Sequence, residues 1–209
     1  MNIVVNEDLK HYIDPLTPEE HEALERSLLA EGCRDALVLW GDVLVDGHNR
    51  HGICMKHGIP FQTVQNTRFR SIEDVHLWMI DQHLGRRSVS DFQRGVLALR
   101  KKEILEARQA AARDAERVAE VRGEARPVAD DPDALIGGVP IAAAEPLKTR
   151  EAVARAAKLS SAQVGMIEKI QKQAAPEVVA ALKSGTISIS AAAAVASLPV
   201  DEQVAAASA

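Results

Sequence analysis

The stretch from Val43 to Arg50 constrains the fold most strongly, because an apolar run stops abruptly and polar and cationic residues follow at once. Before it, Leu37-Val-Leu-Trp40 is a short β-rich run, and Gly41-Asp42 separates it from the second run, Val43-Leu-Val45. A glycine-containing dipeptide between two such runs favours a hairpin. The sequence therefore predicts two antiparallel strands, the second of which ends at Asp46.

The segment after the second strand is typical of a site that holds an anion. Gly47 can adopt backbone angles closed to other residues, so the chain can turn sharply into a helix, roughly over 49–57. Gly58 and Pro60 are expected to end that helix. The amide hydrogens of a helix N-terminus beside an arginine fork favour phosphate. A tight surface turn with solvated polar residues is the alternative.

Composition excludes several classes of function. The chain has 209 residues, of which 46% are hydrophobic and only 3% aromatic. Readers of single-stranded nucleic acid that stack bases on aromatic rings are therefore disfavoured. Two cysteines without a ligand or disulfide pattern suit a reducing cytosol. Neither a signal peptide nor an apolar run of about 18 residues is present, so no membrane association is expected.

A helix-turn-helix is predicted over residues 148–172, within a basic segment. Residues 148–183 hold seven lysines and arginines against three acids. Thr149 can cap a first helix, and Ser160 with Gln163 forms a capping box that opens a second. Lys158 occupies the turn position where glycine is usual. The second helix of such a motif fits the DNA major groove. An ordinary helical hairpin is the alternative interpretation of this segment.

The second helix offers few groups for reading bases. It has no arginine for guanine and no asparagine for adenine, and Gln163 alone could grip adenine. Hydroxyls and Lys169 are expected to contact phosphates, and Ala162 or Met166 a thymine methyl. The candidate DNA-contacting residues are Lys148, Thr149, Ser160, Ser161, Ala162, Gln163, Met166 and Lys169.

The remaining segments are predicted to be mostly helical. The pattern from Ser71 to Leu84 predicts a buried helix. A long helix is predicted to begin at Ser90 and to continue to about Glu120. Its second half is rich in Ala, Arg and Glu, so it cannot bury much apolar surface. Pro176 to Lys183 and Ser190 to Leu198 form a further helical pair. The predicted organisation is an N-terminal domain over 1–90, a connecting helix over 91–122, a flexible linker over 123–147 and a DNA-binding domain over 148–209.

These pieces, in this order, resemble the ParB/RepB-like partition protein family. Leu16 to Arg87 is similar to the ParB N-terminal domain, whose fold is shared with sulfiredoxin, and residues 148–204 are similar to the ParB DNA-binding domain. The resemblance implies an α+β N-terminal domain with a small mixed sheet and helices, followed by an all-α helix-turn-helix domain. It covers most of the chain outside the linker.

The resemblance also implies a nucleotide site. In the family, a Gly-Glu-Arg-Arg box binds the phosphates of CTP, and a Glu-Asn-x-x-Arg box follows downstream. Here the first box keeps Gly47 and Arg50 and the second keeps Arg86, with His48 and Gln82 in place of the glutamates. The implied ligand is CTP or another nucleotide, with or without Mg²⁺. The implied phosphate-binding residues are Gly47, His48, Asn49, Arg50, Gln82, His83, Arg86 and Arg87.

The function implied is that of a ParB-like DNA-binding protein of a chromosome, plasmid or phage, acting in DNA segregation or transcriptional regulation. Its partners would be double-stranded DNA, a second copy of the chain and a partner ATPase, in the cytoplasm on the nucleoid or a plasmid. It would be at most a weak nucleoside triphosphatase, without assigned catalytic residues. His48 and His51 lack a third ligand, so no metal site is expected.

Two alternatives stay open. One is an enzyme of the same fold: some small-molecule kinases carry Asp-Gly-His-His-Arg, which Asp46-Gly-His-Asn-Arg50 resembles, and some members of the family are nucleases. A nuclease needs a cluster of carboxylates, whereas Asp46 is alone beside the motif. The other alternative is an adaptor that binds neither nucleotide nor DNA.

Overall fold

The computed structural model describes residues 2–85, 89–122, 135–136, 139–140 and 147–207. These residues fall into two compact units. The first contains the described residues up to Met79 together with two short strands from within 133–141, and the second contains the rest, from Ile80 onward. The fold is helix-rich with a small mixed sheet, in agreement with the predicted α+β class.

The first unit is built around a three-stranded sheet. Its elements are α1 (Glu7–Lys10), α2 (Pro18–Glu31), β1 (Leu37–Trp40), β2 (Val43–Asp46), α3 (His48–His57) and β3 (Thr63–Gln65). β1 pairs antiparallel with β2, which confirms the predicted hairpin, and parallel with β3, which the sequence did not predict. One core cluster lies on Leu37, Leu39 and Leu44, and a second contains Leu9, Val45, Phe69, Val75 and Met79.

An ion cluster joins α2 to α3 within the first unit. The Glu25 Oε1 atom accepts hydrogen bonds from Lys56 Nζ at 2.7 Å and from His57 Nε2 at 2.5 Å. These two bonds lower the pKa of Glu25 from 4.5 to about 2. The carboxylate is therefore held in its charged form by partners on a neighbouring helix.

Acid is expected to remove this contribution to stability. Because the pKa of Glu25 is lower in the folded than in the unfolded chain, the cluster stabilises the fold above pH 4.5 and is lost as the pH falls from there toward about 2. Thermal unfolding followed by circular dichroism across that window should show a steeper fall of Tm for wild type than for Glu25→Gln. Glu19→Gln, on an exposed position of the same helix, should behave like wild type. Equal slopes for wild type and Glu25→Gln would contradict the assignment.

The described remainder of the chain is helical apart from one short hairpin. Its elements are α4 (Ile72–Leu84), α5 (Asp91–Arg122), β4 (Leu135–Ile136), β5 (Val139–Pro140), α6 (Arg150–Ala157), α7 (Ser161–Gln173), α8 (Pro176–Lys183), α9 (Ile189–Val195) and α10 (Val200–Ala207). The predicted helices are confirmed, although α9 is shorter than the predicted span to Leu198 and α10 was not predicted. Most of the predicted linker, 123–147, lies outside the described residues.

The beginning of α5 packs closely against α6 and α7 in the second unit. A Cβ atom at Gly95 would lie 2.3 Å from Ile167 Cδ1, so α5 and α7 meet at a position where α5 has no side chain. Arg94 Nε donates a hydrogen bond to the Ala157 carbonyl at 3.0 Å, which places a cation at the C-terminal end of α6. The side chains of residues 110–118 are exposed. The predicted domain boundaries stay a prediction.

Among the helices of the described segments, none combines the length and the apolar character that crossing a lipid bilayer requires.

Candidate phosphate and nucleic-acid sites

The turn between β2 and α3 depends on Gly47. Its φ angle is +96°, in the left-handed region, and a Cβ atom there would lie 2.5 Å from Leu37 Cδ2. Gly47 is also the N-cap of α3, and no side chain caps the first turn. The first amide N–H groups of the helix therefore have no capping side chain as a hydrogen-bond acceptor, and such an arrangement favours the binding of an anion.

The Arg50 guanidinium is bound within the protein. Its Nη2 atom lies 2.9 Å from Asp46 Oδ2, and Nη1 donates to the Asp35 carbonyl at 2.9 Å. The side chain is only 17% exposed. The arginine assigned to phosphate thus also fixes the turn it belongs to, and only its other N–H donors remain for a ligand.

The His48 ring lies half-buried beside the same turn. Among the described residues, its Nε2 atom is buried without a hydrogen-bond partner. Burial lowers the pKa of His48 below its ordinary 6.5, although the Asp46 carboxylate and a backbone hydrogen bond at Leu44 act in the opposite direction. His48 is therefore neutral near pH 7 and has one unused polar atom, which a ligand could bind.

The other predicted phosphate-binding residues are placed as follows. Asn49 is exposed on the first turn of α3. Gln82 and His83 lie in the last turn of α4, in the second unit, and Gln82 is exposed. Arg86 and Arg87 lie outside the described residues. A phosphate site shared by both boxes stays a prediction.

The described segments contain no obvious set of metal ligands. They contain no group of three or more histidine, cysteine, aspartate or glutamate side chains that could hold an ion. His51 packs edge-on against Phe61, with ring centroids 5.6 Å apart.

The two cysteines are neighbours, which the sequence did not indicate. They are 21 positions apart, yet Cys33 lies close enough to Cys54 to affect the pKa of its thiol. Burial, and then the Cys33 thiol, raise the pKa of Cys54 to about 11. Cys54 is therefore a protonated and unreactive thiol at neutral pH.

The capping residues predicted for the second site are confirmed. The Thr149 hydroxyl accepts a hydrogen bond from the Ala152 amide at 3.1 Å. Ser160 Oγ accepts from the Gln163 amide at 3.2 Å, and Gln163 Oε1 accepts from the Ser160 amide at 3.0 Å. Lys158, between the helices, has a φ of 56° and is the one non-glycine residue with positive φ in the described segments. Two short helices thus meet at a tight turn.

Helix α7 has a buried face and a partly open face. Val164, Ile167 and Ile170 are fully buried, and the helix contacts α5, α6 and α9. Ala162 is exposed, and the other positions of the open face are half-buried: Ser161, Gly165, Met166 and Lys169. The candidate DNA-contacting residues of α7 other than Gln163 therefore share a surface.

Two of the predicted contacts are engaged inside the protein. Gln163 completes the capping box, and its Nε2 atom lies 3.5 Å from Asp91 Oδ2. To bind adenine as predicted, the Gln163 amide would have to give up both contacts. Lys169 Nζ contacts Ser197 Oγ. Lys148 is exposed immediately before the Thr149 cap.

Comparison with solved structures identifies the fold. The chain is similar to the C2221 form of a Pnob8-like ParB-N domain, with a TM-score of 0.56 and 16% identity over 93% of this chain and 75% of that chain. It is also similar to the pNOB8-like ParB N-domain, with a TM-score of 0.55 and 17% identity over 93% of this chain and 70% of that chain. No protein-family model matches the sequence, and no curated protein matches it. The chain therefore has the fold of a ParB N-domain.

Proposed function

We propose that this chain is a ParB-like DNA-binding protein that acts in DNA segregation or transcriptional regulation, with α6 and α7 as its helix-turn-helix. The observation that carries the proposal is the division of α7 into a buried stripe and an open face. A recognition helix must present an open face to the major groove, and here that face belongs to the second helix of a tightly connected pair inside a basic segment.

Charge around the helix pair supports the same proposal. Residues 148–172 carry six cationic side chains against two acidic ones, although the whole chain has a net charge of −5. Local excess of positive charge is what binding to phosphates requires. The exposed Lys148, immediately before the Thr149 cap of α6, adds an ammonium donor at one end of the pair.

Lys169→Ala tests the DNA-binding proposal. If Lys169 contacts one phosphate, its loss should weaken duplex binding and make the slope of log affinity against log salt shallower by about 0.9. Fluorescence anisotropy with a labelled duplex at several salt concentrations measures both quantities. Lys183→Ala, at the end of α8 and outside the helix pair, is the matched control. A wild-type protein without salt-dependent duplex affinity would remove the proposal.

We propose further that the β2–α3 turn binds the phosphates of a nucleotide, CTP or another, with or without Mg²⁺. Three features support this: the uncapped first turn of α3, the close backbone approach that Gly47 permits, and the unpartnered Nε2 atom of His48. A bound phosphate would accept hydrogen bonds from the amides and favour the protonated imidazole. Ligand-induced shifts of Tm in a panel of nucleotides, with and without Mg²⁺, test this part.

The enzymatic alternatives receive less support. A nuclease would need several carboxylates around a metal, and the described residues offer no such cluster. A small-molecule kinase has no use for the open face of α7. An adaptor predicts neither a nucleotide-induced shift nor salt-dependent DNA affinity, so the same two measurements separate it from the leading proposal. A homodimer and a partner ATPase remain parts of the proposal.

A further inference from the structure

Arg150 lies across the open face of α7, although it belongs to α6. A Cβ atom on Gly165 would lie 3.5 Å from Arg150 Cζ, 3.6 Å from Nη1 and 3.7 Å from Nε. Nearly equal distances to three guanidinium atoms indicate that the plane of the group lies over the glycine. Distances of this size are ordinary van der Waals contact, so the guanidinium packs against α7 at Gly165.

A carboxylate on α7 holds the guanidinium there. Glu168 Oε2 lies 2.9 Å from Arg150 Nη2, and the glutamate side chain is 26% exposed while that of Arg150 is 54% exposed. Arginine has five N–H donors. In the described part of the chain, the Arg150 side chain hydrogen-bonds through Nη2 to Glu168, which leaves Nε, Nη1 and the second N–H of Nη2 for a ligand.

We propose that Arg150 reads a guanine in the DNA major groove, with Glu168 as its positioning residue. This inference rests on the proposed DNA binding and names the side chain that gives it sequence specificity. The open face of α7 itself carries no arginine: it offers Ser161, Ala162 and Met166. The second N–H of Nη2, paired with the neighbouring N–H of Nη1 or Nε, supplies the missing donor pair, which suits the O6 and N7 acceptors of guanine.

A guanine contact accounts for Glu168 better than a phosphate contact does. A carboxylate that is hydrogen-bonded to Arg150 offsets much of the charge of the guanidinium, and this weakens the electrostatic attraction of Arg150 to phosphate. The same carboxylate fixes the orientation of the guanidinium, and orientation is what a bidentate contact with a base edge requires.

Selection from a library of duplexes with a randomised core tests the inference. Wild type should enrich a motif that contains a guanine whose preference Arg150→Lys and Arg150→Ala reduce about 10- to 100-fold, while the rest of the motif is kept. Arg155→Ala, at another exposed arginine of α6, should keep that guanine. Unchanged Tm values would show that the variants are folded.

The outcomes separate this inference from the DNA-binding proposal. If wild type enriches no duplex, the proposed function fails and this inference fails with it. If wild type enriches a motif that both Arg150 variants retain, only the guanine contact is overturned. A uniform loss of affinity for all duplexes, with a salt slope shallower by about 0.9, would identify Arg150 as a phosphate contact and overturn the guanine assignment as well.

Glu168→Gln distinguishes positioning from a merely structural ion pair. Removing the negative charge should raise affinity for non-specific duplex, because repulsion of the phosphates is relieved. Preference for the guanine should fall at the same time, because the guanidinium loses its charged partner. A variant with lower Tm but unchanged guanine preference would contradict the positioning role.

Discussion

Replacement of Gln203 by methionine is expected to lower the free energy of unfolding by about 3–4 kcal/mol, because several buried backbone groups would lose their partner. Gln203 is 2% exposed and is the one buried polar side chain in the described segments. Its Oε1 atom accepts from the Ala175 amide at 2.7 Å, and its Nε2 atom donates to the carbonyls of Gln173 at 3.1 Å and Leu198 at 2.9 Å. These groups lie where α7, α8 and α9 end or begin.

Methionine is the informative replacement because it keeps the length and flexibility of glutamine and removes only its polar atoms. Gln171→Met, at an exposed position of α7, is the matched control and should change stability by less than about 0.5 kcal/mol. Urea unfolding followed by circular dichroism gives both values. Equal stabilities of the two variants would show that Gln203 does not hold the helix ends together.

Local features of the fold could be predicted from the sequence because their causes are local. The Gly41-Asp42 turn lies between two strands as expected, and the capping box of Ser160 with Gln163 opens α7. The left-handed conformation of Lys158 is present where the helix-turn-helix pattern required it. In each case, residues within a few positions of one another determine the backbone.

Features that depend on distant residues could not be predicted in this way. The partners of Arg50 include the carbonyl of Asp35, 15 positions away, and the ion pair of Arg150 with Glu168 spans 18 positions. Gln203 bonds to the Ala175 amide 28 positions away. No spacing rule indicates such contacts, since they depend on how helices meet. For the same reason, the sequence did not indicate that Arg50 is bound by Asp46 and by the Asp35 carbonyl.

The phosphate site was predicted from its turn and stays a proposal, and the contacts within the turn indicate which residue tests it best. Arg50 is bonded to Asp46, whereas no side chain caps the first amides of α3 and the Nε2 atom of His48 is buried without a hydrogen-bond partner among the described residues. On the proposal that this turn binds phosphate, we expect binding to depend most on the backbone conformation at Gly47. A side chain there would change both the packing and the turn.

Gly47→Ala is expected to lower the free energy of unfolding by about 2–5 kcal/mol. A side chain at a φ of +96° costs about 1–2 kcal/mol, and forcing a methyl group into contact with Leu37 adds a further cost of about 1–3 kcal/mol. Gly58→Ala is the matched control, since Gly58 ends the same helix at a φ of +66° and has no atom within 4 Å of its Cβ position. It should show only the conformational cost, about 1 kcal/mol.

A double-mutant cycle with Leu37→Val isolates the steric part of this effect. Shortening Leu37 removes the Cδ2 atom that a methyl group at position 47 would meet. Gly47→Ala should therefore cost less in the Leu37→Val background than in wild type, by about 1 kcal/mol or more. Additive costs would mean that the backbone angle alone, and not the close approach of the strand, demands glycine.

The same pair of glycine variants tests whether the turn binds nucleotide. If its amides hold a phosphate, Gly58→Ala should keep the nucleotide-induced rise in Tm and Gly47→Ala should lose it, measured for each variant against its own ligand-free Tm. At a nucleotide concentration about 100 times Kd, the stabilisation that is lost amounts to about 2.7 kcal/mol. A folded Gly47→Ala protein that keeps the full shift would place the nucleotide elsewhere, because an altered backbone at residue 47 displaces the first amides of α3.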